Sequence, residues 1–206
     1  MNDFLTFLVL SLFVVMSPGI DTALITKRTI SDGRKDGFSM ALGITTGSFV
    51  HTFAAAFGLS AILLQSAVAF EILKYVGAFY LIYLGISSFI SRKKKDPAAE
   101  NQQDAQMKKS AFKQGLISNV LNPKVAMFFL TFLPQFIQTG ENATQQLIIM
   151  GVIYTLLSIS WFFIYVFFIN YLREWLLSPK VQIIMDRATG LVLIGFGLKL
   201  ALDKNH

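Results

Sequence analysis

Two ionisable residues of this chain stand beside prolines inside long apolar stretches. One stretch carries Ser17, Pro18 and Gly19 followed by Asp21, and another carries Asn122 and Pro123 followed by Lys124. Proline removes a backbone donor and clashes with the preceding turn, and a Ser or Asn just before it is placed to cap a helix that restarts there. Each stretch is therefore expected to hold a half-helix N-terminus, whose free N–H groups and partial positive charge suit a carboxylate. Paired interruptions of this kind point to a transporter's binding site. The competing reading is that both prolines merely kink helices for packing.

The two charges sharpen the question. Burying either alone in hydrocarbon costs at least roughly 2.5–3.5 kcal/mol on insertion scales, so Asp21 and Lys124 are expected to pair or to face a water-filled cavity. Asp21 lies six residues before Lys27 and Lys124 eleven after Lys113, about 9 Å and about 16 Å along a helix, so the two can meet. A fixed structural bridge accounts for the same pair. Nearby, Gly43, Thr45, Thr46, Gly47, Ser48 and His51 form a small, polar face in another apolar stretch. Gly43 and Gly47 make a GxxxG pair, which favours close helix packing. His51 can relay a proton or serve as a hydrogen-bonded packing residue. Gln114, Asn119 and Asn122 offer polar contacts beside the second break. Tyr75, Phe79, Tyr80 and Tyr83 share a broad helical face suited to packing or interface anchoring, and Trp175 near Tyr171 is an interfacial anchor.

The elements that position these residues follow from composition. The 206 residues are 54% hydrophobic and 15% charged, with a mean hydropathy of +0.57, too apolar for an ordinary soluble domain. Cysteine is absent, which excludes disulfides and thiolate metal sites. Six segments are long and apolar enough to span a membrane as helices: about 4–26, 38–64, 67–90, 114–137, 146–170 and 186–202. The start, Met1-Asn2-Asp3, lacks a basic n-region, so the first segment is expected to be retained. Basic residues gather at Lys27 to Lys35, between Arg92 and Lys113, and from Arg173 to Arg187, so that 14 of the 18 share one side. The positive-inside rule makes that side cytoplasmic and places both termini outside. Topology thus explains the net charge of +6, leaving no patch that asks for nucleic acid.

The predicted fold is an all-α integral membrane protein made of one transport domain. Residues 1–91 form a first three-helix half, 92–113 a cytoplasmic linker whose Arg92 to Lys95 run can also hold anionic lipid head groups, and 114–206 a second half. Three spans per half force equivalent helices to enter from opposite sides, so the halves are inverted repeats with Pro-broken helices 1 and 4. A secondary transporter is the leading class, because no GxxxxGK[ST] loop couples the chain to ATP. A cation or metal carrier is the alternative, although Asp21 and His51 alone make a poor coordination sphere. An intramembrane hydrolase lacks an HExxH motif or a carboxylate dyad, so neither catalysis nor a cofactor is expected. A non-transporting scaffold leaves the two intramembrane charges without a use.

Taken in order, Ser17-Pro18-Gly19-Ile20-Asp21, the run from Ala41 to Leu64, Gly77 to Leu81 with Gly85, Asn119 to Lys124, Phe128 to Leu130, Leu133 to Phe136 and Thr189-Gly190 resemble the LysE/RhtB family of bacterial amino-acid exporters. The resemblance covers nearly the whole chain outside residues 96–110. It implies a multi-pass protein of the bacterial inner membrane that exports amino acids such as lysine, threonine, homoserine or leucine in exchange for protons. On it, Asp21 matches the motif aspartate, and Asn122, Pro123 and Lys124 match the motif of the second half. Ile20 stands where the family commonly has a second proline, which loosens the expected break in helix 1. A homo-oligomer is compatible with such a chain. Reporter fusions within residues 91–113 are expected to be active only on the cytoplasmic side; a linker reporter active only outside would overturn the topology.

Overall fold

The computed structural model describes residues 2–17, 19–59, 67–90, 110–137, 142–176 and 178–202, and every regular element among them is helical. Helix α1 (Asn2–Met16) ends where Pro18 interrupts the sequence, and α2 (Ile20–Asp32) restarts at an axis turned by 49°. Helix α3 (Arg34–Phe53) runs on into a π-helical segment at Ala54–Leu59, and α4 spans Ala67–Ile90. After the linker, α5 (Ala111–Val120) stops at the second proline and α6 (Pro123–Met127) continues through a π segment, Phe128–Phe132, and a 3-10 turn, Leu133–Phe136. The bend between α5 and that continuation is 50°. Helices α7 (Ala143–Phe167), α8 (Ile169–Leu176) and α9 (Pro179–Leu202) complete the chain.

The all-helical expectation and both breaks hold. The count of six spans is not reproduced by length and composition: among the described residues Arg34–Gly58 and Ala143–Phe167 qualify alone, and four qualify when each bent pair is taken as one span. The other two expected spans fall on α4, whose apolar described stretch is Tyr75–Phe89, and on α9, which opens with Lys180, Asp186 and Arg187. Those charges dilute its apolar character. The expected end of the second span at residues 60–64 and most of the linker, 91–109, lie outside the described residues.

Between α2 and α3 the chain reverses at Gly33, whose φ of +90° a side chain would strain. Buried Arg28 fastens this turn, with Nη2 3.1 Å from the Asp36 carboxylate and Nε 3.3 Å from that of Asp32. Elsewhere small residues set the packing. Lipid tails are as apolar as leucine, so helices associate by close van der Waals fit where glycines let backbones approach. On the α3–α5 interface, a Cβ at Gly43 would overlap the Phe112 carbonyl, one at Gly115 the Met40 carbonyl, and one at Gly47 the Asn119 side chain. The GxxxG pair is therefore a packing seam. On the α4–α9 interface the contact is reciprocal: a Cβ at Gly85 would meet the Gly190 carbonyl, and one at Gly190 the Gly85 carbonyl. Phe79 and Tyr83 of α4 point outward at 71% and 65% exposure, with Tyr75 half-exposed, which suits an anchoring face rather than a core. Tyr171 and Trp175 are also exposed.

The buried apolar residues form two main clusters. Phe7, Val14, Val125, Phe128, Phe129 and Leu133 belong to one, and Ile25, Met40, Ile44, Phe162, Tyr165 and Val166 to the other. The proline breaks lie between them. Gly115→Ala is expected to destabilise the protein in detergent by about 1–3 kcal/mol through overpacking against backbone. Gly195→Ala, where a Cβ meets nothing within 4 Å, is expected to be neutral or stabilising by up to about 1 kcal/mol from helix propensity. Thermal unfolding of the two variants checks the pair, and equal losses would contradict the close-approach account.

Candidate functional site

In an unbroken helix the amide at position 18 would bond the carbonyl of Val14, and the amide at 123 would bond that of Asn119. Both positions are proline, which has no amide hydrogen. Helix α1 stays regular up to Ser17, whose N–H reaches Phe13 O at 3.0 Å. The Val14 carbonyl then accepts from Lys124 Nζ at 3.4 Å. At the second break the Asn119 carbonyl is met by the Asn122 N–H at 3.0 Å and by His51 Nε2 at 3.0 Å. A carbonyl only accepts, so Nε2 of His51 must carry the proton. Each proline thus strips one carbonyl of its i+4 amide, and an ionisable side chain from another helix reaches it, alone at Val14 and beside the Asn122 N–H at Asn119.

The two restarts differ. Asn122 caps α6 as expected: its backbone is extended, at φ −78° and ψ 109°, and its Oδ1 accepts the Lys124 N–H at 3.1 Å. Ser17 does not cap α2. The N-cap there is Gly19, which has no side chain to offer, and the Ser17 hydroxyl instead accepts from Thr189 Oγ1 of α9 at 3.1 Å. The reason is register: Ser17 precedes the cap position by two residues, whereas Asn122 occupies it.

A cavity of about 190 Å³ opens between the breaks. Of the nine residues singled out from sequence, Ser17, Gly19, Asp21, Asn119, Asn122, Pro123 and Lys124 line it. Pro18 lies outside the described residues. His51 does not line it; bonded to the Asn119 carbonyl and stacked on Phe129 at 5.7 Å, it sits behind Asn119. Gln114 is buried but also away from the lining. Asp21 is 9% exposed, and its Oδ2 accepts from Asn119 Nδ2 at 3.1 Å. Its other oxygen, Oδ1, is buried with no hydrogen-bond partner, as is Oδ1 of Asn119.

Asp21 and Lys124 share the cavity without closing an ion pair, since no contact within 4.0 Å joins them. The fixed-bridge reading fails on this point. Lys124 is drawn to the Val14 carbonyl and Asp21 to the Asn119 amide, so anion and cation face a common space with neither fully satisfied. A cavity of this size and polarity has room for several water molecules.

Sequence reasoning missed Tyr154 and Ser158 of α7, both buried and both lining the cavity. The Tyr154 ring packs on Phe128 and Phe129 at 4.6 and 5.1 Å. The signal was the buried stripe Gly151, Tyr154, Thr155 and Ser158, at helical spacing in an otherwise apolar segment.

The LysE type translocator family matches residues 12–204, a stretch that contains both proline breaks and every residue of the cavity. The chain belongs to that family. It is 38% identical over 210 residues to the membrane protein YrhP of Bacillus subtilis, across 98% of this chain and all of that one. It is also 29% identical to the leucine efflux protein of Enterobacter sp. (strain 638), across 97% of this chain and 95% of that one. The leucine efflux protein of Salmonella typhimurium is 26% identical, across 97% and 94%. No solved structure matches.

In this translocator the Asn119 amide donates to the Asp21 carboxylate at 3.1 Å, with both side chains buried. A hydrogen bond to a charged group contributes about 1.5–3 kcal/mol. A double-mutant cycle of Asn119→Ala and Asp21→Ala, read by thermal unfolding in detergent, is expected to give a coupling of that order. Additive losses would show that the contact is incidental.

Proposed function

We propose that this translocator exports amino acids, with leucine-like side chains as the first class to test, from the bacterial cytoplasm across the inner membrane in exchange for protons. The observation that carries the proposal is a cavity holding a carboxylate and an ammonium that do not satisfy each other, Asp21 and Lys124, at the meeting point of two broken helices. An amino acid supplies the complementary pair. Lys124, with the N-terminus of the Asn122-capped α6, takes the substrate carboxylate. Asp21 takes the substrate ammonium, or the returning proton once the substrate has left. The apolar clusters above and below keep the charged exchange within a confined space. Val14, Val15 and Phe162 add apolar wall beside the polar groups, in keeping with the leucine named for two relatives.

The architecture we propose is six spans in two inverted halves, residues 1–91 and 114–206, with both termini outside. Two features support it. The breaks bend by nearly equal angles, 49° and 50°, and the Gly85–Gly190 contact is reciprocal, as a two-fold axis between equivalent helices requires. In such an arrangement one half can rock against the other around a fixed site. The proton gradient supplies the work of export.

Proteoliposomes loaded with labelled leucine test the reading. Efflux is expected from wild type and to stop when proton gradient and membrane potential are both collapsed. The double variant Asp21→Asn with Lys124→Gln leaves no charge unpaired, so it is expected to insert and accumulate. Its efflux is expected to fall at least roughly tenfold, the equivalent of about 1.4 kcal/mol. Near-normal efflux from that variant would reject the site, and efflux that ignores the collapsed gradient would reject the coupling.

A further inference from the structure

Lys124 also lines a second cavity. This chamber, of about 130 Å³, is bounded by Ser17, Ser87, Ser88, Lys124, Asp186 and Thr189, so Ser17 and Lys124 belong to both spaces. Asp186 is half-buried, and none of the hydrogen bonds or ion pairs among the described residues involves it. It lies within electrostatic range of Lys124, as Asp21 does from the other side. Ser87 and Ser88 occupy the last turn of α4 (Ala67–Ile90), and Asp186 the early turns of α9 (Pro179–Leu202). The chamber therefore sits at the end of the bundle from which the 91–109 stretch departs, the end that the basic residues mark as cytoplasmic.

One lysine between two aspartates cannot neutralise both. Whichever carboxylate lacks the ammonium stays uncompensated, and an unpaired charge at membrane depth is costly. Both cavities are lined by the same chemistry: a carboxylate, the shared Lys124, and hydroxyl or amide groups. Water needs only roughly 10–15 Å³, so a chamber of this size is wet and open to a small polar solute.

We infer that the Asp186 chamber is a second, cytoplasm-side station for the zwitterion, in which the substrate ammonium is held by Asp186 while its carboxylate rests on Lys124. The ammonium then passes to Asp21 while the carboxylate stays on Lys124, a handover in which no bond is made or broken. Ser17 and Thr189, bonded to each other at 3.1 Å, form the partition between the stations. This inference rests on the amino-acid reading above. It assigns a binding role to Asp186, a residue the sequence pattern placed only at a span boundary.

The chain has no cysteine, so a single Ser88→Cys can be labelled without background. Membrane-impermeant maleimide is applied to the cytoplasmic face of the full-length protein in oriented vesicles, with leucine or its deaminated analogue 4-methylpentanoate present. Leucine is expected to slow labelling by about tenfold, whereas the acid, which lacks the ammonium, leaves it unchanged. Adding Asp186→Asn is expected to abolish protection by leucine, and Asp186→Glu to restore it. Equal protection by leucine and the acid, or leucine protection that survives Asp186→Asn, overturns the second station. The comparison of the two ligands needs no Asp186 variant, so it decides the matter even if Asp186→Asn fails to assemble. If the Ser88→Cys protein exports leucine but leucine gives no protection, the station alone is wrong. Wild type that exports no amino acid from a full panel removes the amino-acid reading and the station together.

Discussion

A carbonyl that has lost its helical donor cannot stay unpaired in hydrocarbon. That constraint organises this molecule. Proline at positions 18 and 123 deprives the carbonyls of Val14 and Asn119 of the amide four residues on, and other groups meet them: Lys124 Nζ at Val14, and the Asn122 N–H together with His51 Nε2 at Asn119. The Lys124 contact reaches from the second broken helix to the first. The Lys124 cation is thereby held at the break of α1, on the wall of the cavity. The contacts at Asn119 hold its backbone, and the Asn119 side chain in turn holds Asp21. Backbone chemistry at two prolines thus positions both charges of the cavity.

The remainder of the bundle is built so that this arrangement does not relax. The α3–α5 and α4–α9 interfaces are close glycine contacts, and packed backbones of this kind shift as units rather than deforming smoothly. At Gly47 the two systems touch, since the absent side chain there makes the room that Asn119 occupies. Apolar clusters lie on both sides of the breaks, leaving the polar groups concentrated at one level.

Much of this was legible in the sequence, and the reasons are local. Proline chemistry marks both breaks, Asn122 stands at a cap position, and GxxxG spacing announces close packing. Asp21 and Lys124 were identifiable because an intramembrane charge needs a reason. The sequence was less informative where the outcome depends on which of several groups competes for a partner. Ser17 has a capping side chain but the wrong register, and Thr189 takes it. An Asp–Lys bridge was the simplest pairing, yet a freed carbonyl and an asparagine amide each claim one partner. His51 was a proton-carrier candidate in the abstract, and its placement behind Asn119 gives it a backbone to hold. Tyr154 and Asp186 are hard to single out from sequence because one belongs to a short polar stripe in a largely apolar helix and the other to the charged start of α9.

The central claim is that the freed carbonyls create the site, and restoring their donors tests it directly. Replacing Pro18 and Pro123 together by alanine supplies an N–H at each position, closes the Val14 and Asn119 carbonyls within their own helices, and releases Lys124 and His51. Thermal stability and substrate efflux are measured on the same preparation. The account predicts a protein at least as stable as wild type whose efflux has fallen by roughly tenfold or more, since relieving a strained functional site trades activity for stability. Retention of near wild-type efflux by this variant would show that the breaks are packing kinks and that the cavity does not depend on them.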